Sequence, residues 1–369
     1  MNWIKKFTFV TIVTIFSFEA LSFIATKLEL FLVNYTPSLY LKNTVNHNYK
    51  DIIYGRTERE KWGAWHVPNS TFNHRLGCFD VTMTFNEVGA RDDSFHNVPE
   101  SALILLGDSF AEGFGVTREN MSEYLIEREL KVPILNFGAS GNFGPLQELI
   151  VYEEFKYLPH QGIIIYFLPA NDFTDNDQET WEAINQNRYR PYFSKEGNPL
   201  IPYYFPSSVK RDNFISLKLG WFQEFFKEYT WSSNAIRTAI ILMRGYTGYY
   251  DPTIQQQSNL VLAYEAILKA AGDKNVLFVI IPTPKDITRK DNDLDPFGYR
   301  NAYWYQSFIN FKNRTEQRVE VLDLMEHLPE RITELFFDCD DHWSPSGNFW
   351  AADVISDFIR SEKLFEIRN

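Results

Sequence analysis

A short run of branched apolar residues, Leu103-Ile-Leu-Leu106, ends at Gly107 and is followed directly by Asp108 and Ser109. An apolar run of this length, closed by glycine, is typical of a strand that is buried on both faces of a parallel sheet. Ligands of open α/β sheets bind beyond the carboxyl ends of the strands, which is where Ser109 falls. A helix beginning at this serine would place backbone N–H groups beside its hydroxyl, which suits a nucleophile and a developing oxyanion. The alternative is that Asp108 or Ser109 only caps the helix.

Strand-like and helix-like segments alternate from residue 101 to the end of the chain. The predicted strands lie at 102–106, 133–137, 162–168, 276–281 and 319–323. The predicted helices between the first three strands lie at about 118–130 and 144–158. Because strand and helix alternate, this part is predicted to form a parallel sheet with right-handed crossovers, an α/β fold. Ser344 and Pro345 are typical of a helix start, which places His342 on the loop before that helix.

Polar residues and glycines cluster in four places, near the ends of predicted strands and before the last helix. The clusters are Gly107-Asp-Ser-Phe110, Asn136-Phe-Gly-Ala-Ser-Gly-Asn142, Pro169-Ala-Asn-Asp172 and Asp340-Asp-His-Trp-Ser-Pro-Ser-Gly347. In this order they resemble the four sequence blocks of the GDSL/SGNH hydrolase family, and the resemblance covers roughly residues 101–369. It implies a flavodoxin-like, three-layer α/β/α sandwich around a parallel sheet.

The resemblance also implies a role for each block. Ser109 would be the nucleophile and His342 the general base, with an aspartate that holds the histidine tautomer. The oxyanion hole would consist of the backbone N–H groups of Ser109 and Gly141 and the side-chain amide of Asn171. No metal and no other cofactor is expected, because the histidines and cysteines lack paired ligand spacing and no glycine-rich phosphate loop is present.

Two positions depart from the family pattern. Pro169 stands where the family commonly has glycine, and Cys339 stands where it has aspartate, three residues before the histidine. A shorter Asp-x-His spacing occurs in relatives that resemble polysaccharide O-acetyltransferases. Asp340 is therefore expected to be the acid of the triad, and Asp338 and Asp341 are the alternatives.

The amino terminus predicts a membrane segment. Residues 7–26 follow Lys5-Lys6 and contain one charged side chain, Glu19. As a helix they would be about 30 Å long, enough to span a bilayer with the lysines in the cytoplasm and the rest of the chain outside. Glu19 is expected near the outer interface or against a partner helix, because an ionisable group inside a membrane is costly. An uncleaved anchor is expected, and a signal peptide cleaved at Ala20-Leu-Ser22 is the alternative.

Composition divides the chain into three parts. Residues 1–35 are expected to be the membrane anchor, residues 36–100 a β-rich lead-in segment that covers the catalytic domain, and residues 101–369 that domain. One strand, Val81–Phe85, is predicted in the lead-in segment. His66 is expected to be a packed, hydrogen-bonded residue, with contact to substrate as the alternative.

An insertion at about 173–258 interrupts the alternation of strand and helix. It contains two predicted apolar helices, at 214–229 and at 234–243. They are expected to pack on each other, and a lid or substrate-binding wall is the alternative. Before them, Asp172, Asp175 and Asp177 are expected to form a solvated acidic loop rather than a cation site.

The charge of the chain limits the kinds of partner that are expected, and its cysteine content bears on the cellular compartment. The 36 basic and 48 acidic residues give a formal charge of −12, and no Lys/Arg cluster lies outside the amino terminus, which argues against a nucleic-acid partner. The two cysteines, Cys78 and Cys339, are compatible with a disulfide in an oxidising compartment or with two separate buried thiols.

The expected activity is that of a serine hydrolase acting on ester bonds of cell-envelope or exopolysaccharide acyl groups. Polysaccharide O-acetyl transfer by the same triad is an alternative, because either water or a sugar hydroxyl can accept the acyl group from serine. A catalytically silent glycan-binding domain is an alternative of another class. An acylated small molecule or glycan is the expected substrate, and the oligomeric state stays open.

Overall fold

The computed structural model describes residues 3–28, 30, 56–178, 180, 190–193, 203–204, 229–244, 252–291, 299–314 and 317–367. Its first element is helix α1 (Trp3–Lys27), whose apolar side chains are mostly exposed. With 25 residues, α1 is about 37 Å long. It is long and apolar enough to cross a membrane, a property that a signal sequence shares.

The lead-in segment contains two antiparallel hairpins. Strand β1 (Arg56–Glu60) pairs with β2 (Gly63–His66), and β3 (Thr71–Leu76) pairs with β4 (Phe79–Thr84). Buried and exposed side chains alternate along β4, because one face of this hairpin is covered and the other faces solvent. The prediction of a strand at Val81–Phe85 located β4 but missed the other three strands, whose sequences have few apolar residues.

Both hairpins pack against the domain that follows. Trp62 and Trp65 belong to the main hydrophobic core. The second hairpin forms a smaller cluster, against which Phe114 and Phe337 pack. A disulfide between Cys78 and Cys339, with Cα atoms 5.9 Å apart, joins this hairpin to the loop before the last helix. The sequence left open whether the two cysteines are paired or separate, and in the structure they are paired.

Most of the remaining strands form a parallel central sheet. The remaining strands are β5 (Leu103–Leu106), β6 (Ile134–Asn136), β7 (Gly162–Phe167), β8 (Pro191–Tyr192), β9 (Tyr203–Tyr204), β10 (Asn275–Ile280) and β11 (Val319–Asp323). Strands β8 and β9 pair with each other, and the other five form one sheet in the order β6-β5-β7-β10-β11. In chain order this is 2-1-3-4-5, the order of flavodoxin-like folds, so the predicted fold class is confirmed. Every residue of β5, β6 and β7 is buried, as expected for strands covered on both faces.

Helices lie between the strands of the sheet along the chain and after its last strand. They are α2 (Ser109–Glu112), α3 (Ser122–Leu130), α4 (Pro145–Phe155), α5 (Asp172–Asp175), α6 (Ser232–Arg244), α7 (Ile254–Ala271), α8 (Pro284–Asp291), α9 (Tyr303–Phe311) and α10 (Pro345–Glu362). Helix α3 packs on α10, whereas α4 and α9 pack on α7, which gives two helical layers. The helices predicted at 118–130 and 144–158 appear as α3 and α4, the first after a 3₁₀ turn at Arg118–Asn120.

Part of the insertion packs on the amino-terminal helix. The helix predicted at 234–243 is observed as α6, whereas the one predicted at 214–229 lies outside the described residues except for Tyr229. The carboxylate of Glu19 accepts hydrogen bonds from the backbone N–H groups of Trp231 and Ser232, the latter at 3.1 Å. Glu19 thus meets the amino terminus of α6, where a negative charge is favourable. This matches the expectation that Glu19 faces a partner helix.

Candidate active site

Ser109 is the first residue of α2 and follows β5 through Gly107 and Asp108. Gly107 has φ = 152°, and a Cβ on it would lie 2.9 Å from the Cβ of Tyr166, so the turn from strand to helix requires glycine. The carboxylate of Asp108 caps α2 by accepting a hydrogen bond from the backbone N–H of Phe110 at 3.0 Å. Asp108 therefore caps the helix, and Ser109 lies at the carboxyl end of an interior strand, the position predicted for it.

The loop before α10 brings His342 to Ser109. Nε2 of His342 lies 2.6 Å from Oγ of Ser109, and Nδ1 is hydrogen-bonded to Oδ1 of Asp340. The same oxygen of Asp340 accepts a hydrogen bond from the backbone N–H of His342 at 3.0 Å, which holds the carboxylate beside the ring. The backbone N–H of Phe337 donates to the carbonyl of His342 at 3.0 Å and closes the loop. The three side chains are thus connected in the order Ser-His-Asp, an arrangement that recurs in serine acyl-transfer enzymes.

Asp340 is the aspartate of this loop that is hydrogen-bonded to the ring of His342, the contact expected of the predicted acid. Asp338 is exposed to solvent. Oδ2 of Asp341 lies 2.6 Å from Nζ of Lys285 on α8. Cys339 precedes Asp340 directly, so the disulfide ties the acid-bearing loop to the second hairpin of the lead-in segment.

The surroundings of His342 favour protonation of its ring. Burial alone lowers the pKa of His342, but the charge of Asp340 and the hydrogen bond to it outweigh burial and raise the pKa above its ordinary value. The ring of Phe114 stacks on the imidazole, with centroids 4.1 Å apart. The histidine side chain is still 22% exposed, so the ring remains accessible from solvent.

Asn171, the predicted side-chain donor of the oxyanion hole, follows β7 and immediately precedes α5. Its Nδ2 donates a hydrogen bond to Oδ2 of Asp108 at 3.2 Å. An amide nitrogen carries two hydrogens, so this bond uses one of the two that Asn171 can donate. Burial raises the pKa of Asp108, because desolvation of its charge outweighs the hydrogen bonds from Phe110 and Asn171. Asp108, which directly precedes Ser109, thus connects the start of α2 to the predicted oxyanion donor.

The loop between β6 and α4 carries Gly141, the predicted backbone donor, with φ = 90°. This loop lies directly on α2, because a Cβ on Gly138 would be 2.4 Å from the backbone nitrogen of Glu112. On its other side, Nη2 of Arg190 donates to the carbonyl of Gly141 at 2.9 Å, and Nη1 donates to that of Asn142 at 2.8 Å. Sequence analysis did not identify Arg190, which lies 49 residues after Gly141 and belongs to no recognisable motif.

Of the three aspartates predicted to form a solvated loop after β7, Asp172 and Asp175 are buried, and Asp177 is half-buried. Asp172 and Asp175 are 2% and 1% exposed, because this segment forms the short helix α5 and packs on α7. Oδ2 of Asp172 accepts a hydrogen bond from the backbone N–H of Leu168 at 2.7 Å. Burial raises the pKa of Asp172 and of Glu148 on α4 well above their ordinary values. Within the described residues, no group of three or more potential ligands is placed to hold a metal ion.

Comparison with known proteins finds similarity among solved structures. No family model matches the sequence, and a search of curated proteins finds no match either. One similar structure is the salicylyl-acyltransferase SsfX3 from a tetracycline biosynthetic pathway, with 14% identity, a TM-score of 0.41, and coverage of 74% of this chain and 58% of that one. The chain thus spans somewhat more than half the length of that protein.

Two further similar structures are described as a lipolytic protein and as an esterase. One is a putative lipolytic protein of the G-D-S-L family from Desulfitobacterium hafniense, with 14% identity, a TM-score of 0.37, and coverage of 70% of this chain and 98% of that one. The other is the acetyl xylan esterase Est2A from the rumen bacterium Butyrivibrio proteoclasticus, with 11% identity, a TM-score of 0.37, and coverage of 73% of this chain and 66% of that one.

Proposed function

We propose that the chain is a serine-dependent acyl-transfer enzyme of the GDSL/SGNH type that acts on ester bonds. The observation that carries the proposal is the 2.6 Å contact between Oγ of Ser109 and Nε2 of His342, with Asp340 bound to the other ring nitrogen. A serine within hydrogen-bond reach of a base, which is itself oriented by a third group, is the arrangement that activates a hydroxyl as a nucleophile.

In the proposed reaction, Nε2 of His342 removes the proton of Ser109 as Oγ attacks the ester carbonyl. Asp340 accepts the hydrogen bond from Nδ1–H and stabilises the imidazolium that forms. The tetrahedral oxyanion is bound by the backbone N–H groups of Ser109 and Gly141 and by Nδ2 of Asn171. The imidazolium then protonates the leaving alcohol, and the acyl group remains on Oγ as an ester. An acceptor, water or a sugar hydroxyl, attacks this ester and loses its proton to Nε2 of His342. As the bond between the acyl carbon and Oγ breaks, the imidazolium returns that proton to Oγ, which restores the free serine.

The proposed substrates are acyl esters of cell-envelope or exopolysaccharide sugars. The spacing of Asp340 and His342, which resembles that of polysaccharide O-acetyltransferases, supports this class. Hydrolysis and O-acetyl transfer share every step up to the acyl-enzyme and differ only in the acceptor. With water as the acceptor the chain is an esterase, and with a sugar hydroxyl it is a transferase.

The proposed location is a membrane, with α1 as an uncleaved anchor and the catalytic domain outside the cytoplasm. The length and composition of α1 support the anchor. The disulfide between Cys78 and Cys339 supports an oxidising compartment, since disulfides are rare in cytosolic proteins. The contacts of Glu19 with the start of α6 support retention of the helix, because cleavage after Ser22 would remove the carboxylate that binds there.

The proposal is tested with p-nitrophenyl esters of increasing chain length, with and without oligosaccharide acceptors. Ser109→Ala is expected to abolish turnover, and Asn171→Ala is expected to lower kcat by a factor on the order of 10² to 10³, because one oxyanion donor is lost. Acylated oligosaccharide in the mass spectrum identifies a transferase, whereas release of free acid alone identifies an esterase.

Two results would contradict the proposed function. Full turnover by Ser109→Ala would show that no acyl-serine forms. A wild-type protein that is inert toward every donor, yet binds glycan equally well after Ser109→Ala, would instead be a catalytically silent glycan-binding domain.

A further inference from the structure

We propose that Glu112 is a positioning residue for the oxyanion hole, and that His66 of the lead-in segment holds it in place. Glu112 does not touch the reacting atoms. Its buried carboxylate connects helix α2, which carries the nucleophile, to the loop that carries Gly141. The proposal rests on the acyl-transfer function proposed above and adds a role for two residues that lie outside the triad.

Both carboxylate oxygens of Glu112 are engaged, on opposite sides. Glu112 is the last residue of α2, three positions after Ser109, and is 1% exposed. Oε2 accepts a hydrogen bond from the backbone N–H of Ser140 at 2.9 Å. Oε1 lies 2.6 Å from Nε2 of His66, which is itself 5% exposed. Hydrogen bonds to a carboxylate are stronger than those between neutral groups, and burial protects them from competition with water.

The bond to Ser140 holds the peptide group that directly precedes the one the mechanism uses. Ser140 directly precedes Gly141, whose backbone N–H is the proposed oxyanion donor. Arg190 binds the carbonyl of Gly141 at 2.9 Å from the other side. The donor peptide therefore lies between two charged anchors, the carboxylate of Glu112 before it and the guanidinium of Arg190 after it.

The loop and α2 also approach each other too closely to move independently. A Cβ on Gly138 would lie 2.4 Å from the backbone nitrogen of Glu112. Where β6 leads into this loop, Nδ2 of Asn136 donates to the carbonyl of Ala111 on α2 at 2.8 Å. A shift of this loop along α2 would thus change the distance between the backbone N–H groups of Ser109 and Gly141. Misplacement of a catalytic group by about 1 Å can cost a factor of about 10² in rate.

His66 makes the lead-in segment part of this arrangement. It ends β2, and its ring stacks on that of Phe85 with centroids 4.0 Å apart. These contacts fix the ring so that Nε2 points at Glu112. The expectation that His66 is packed and hydrogen-bonded is met, and its partner is a residue of the nucleophile helix.

The test compares substitutions of two buried glutamates. Glu112→Leu removes both hydrogen bonds and is expected to lower kcat about 10- to 100-fold, with KM changed less than about twofold, because only the bound oxyanion is affected. Glu112→Gln keeps an oxygen for the N–H of Ser140 and is expected to restore kcat to within about threefold of the wild type. Glu123→Leu is the matched control, since Glu123, on α3, is equally buried but binds Arg118 of the preceding 3₁₀ turn. It is expected to leave kcat unchanged.

Phenylboronic acid, which forms a tetrahedral adduct with a reactive serine, separates positioning from a general structural role. Its inhibition constant is expected to rise in Glu112→Leu by the same factor by which kcat/KM falls, and to stay at the wild-type value in Glu123→Leu. If Glu112→Leu does not fold, His66→Phe provides the same test, with an expected loss of about three- to tenfold in kcat. His66→Phe added to Glu112→Leu should lower kcat no further, because His66 acts through Glu112.

Failure of this proposal can be told apart from failure of the proposed function. The variants are compared only after Ser109→Ala has been found to abolish turnover, so that acyl transfer through Ser109 is established first. Unchanged kcat and unchanged boronate inhibition in folded Glu112→Leu or His66→Phe would overturn the positioning role. A rise in KM alone would also overturn it, because it would place Glu112 in the binding of substrate rather than of the oxyanion.

Discussion

Removal of the disulfide should destabilise the catalytic domain by several kcal/mol. The paired substitutions Cys78→Ala and Cys339→Ala open a covalent loop that spans 261 residues. In the chain-entropy treatment, closing a loop of that length lowers the entropy of the unfolded chain enough to stabilise the folded state by about 5 to 6 kcal/mol. A typical domain has a free energy of unfolding of about 5 to 15 kcal/mol, so this loss is a large fraction of the total.

The assay is urea unfolding followed by tryptophan fluorescence, with the wild type measured before and after reduction. The double variant should unfold at a clearly lower urea concentration, and the reduced wild type should coincide with it. Dithiothreitol should leave the double variant unchanged. Two reactive thiols in the unreduced, unfolded wild type, together with a stability difference below about 1 kcal/mol, would refute the bond and the reasoning built on it.

The remaining predictions concern the catalytic loop and its neighbours. In steady-state assays, Asp340→Asn should lower kcat by a factor on the order of 10⁴, because the histidine loses the partner that fixes its tautomer. Asp341→Asn breaks a bond to Lys285 and should leave kcat close to that of the wild type. Since the pKa of His342 is raised and the base must be neutral, kcat/KM should fall as the pH drops through a midpoint above the ordinary histidine value of 6.5, and a midpoint at or below that value would contradict the assigned environment. Gly138→Ala should reduce the free energy of unfolding by about 1 to 3 kcal/mol, because its Cβ meets the backbone of Glu112, and an unchanged melting curve would show that the loop can move away.

The sheet could be predicted closely because its strands are continuous apolar runs with polar or glycine boundaries. The run predicted at 162–168 is observed as β7 (Gly162–Phe167), and the strand predicted at 319–323 is β11 with the same bounds. The strand order follows from the resemblance to a known family, because periodicity alone does not specify which strands are neighbours. Ser109, which lies 231 residues before Asp340 and 233 before His342, was likewise matched to them by the sequence motifs.

The parts that were missed depend on contacts between distant residues. Nothing local to Glu112 indicates that it binds Ser140 and His66, and nothing local to Arg190 indicates that it binds the carbonyl of Gly141. The acidic segment after β7 was predicted to be solvated because its polarity is visible in the sequence, whereas its packing beneath other elements is not. In the same way, strands β1 to β3 carry too few apolar residues to be recognised before their hairpin partners are known.

Covalent labelling tests the central claim most directly. The full-length protein in detergent is incubated with a fluorophosphonate, which reacts with activated serines, and then digested and analysed by mass spectrometry. One adduct on the peptide that contains Ser109 is predicted for the wild type, with none in Ser109→Ala and a much slower reaction in His342→Ala. An unlabelled Ser109 in a wild type that hydrolyses esters, or an adduct on another serine that survives Ser109→Ala, would contradict the proposed acyl-serine mechanism.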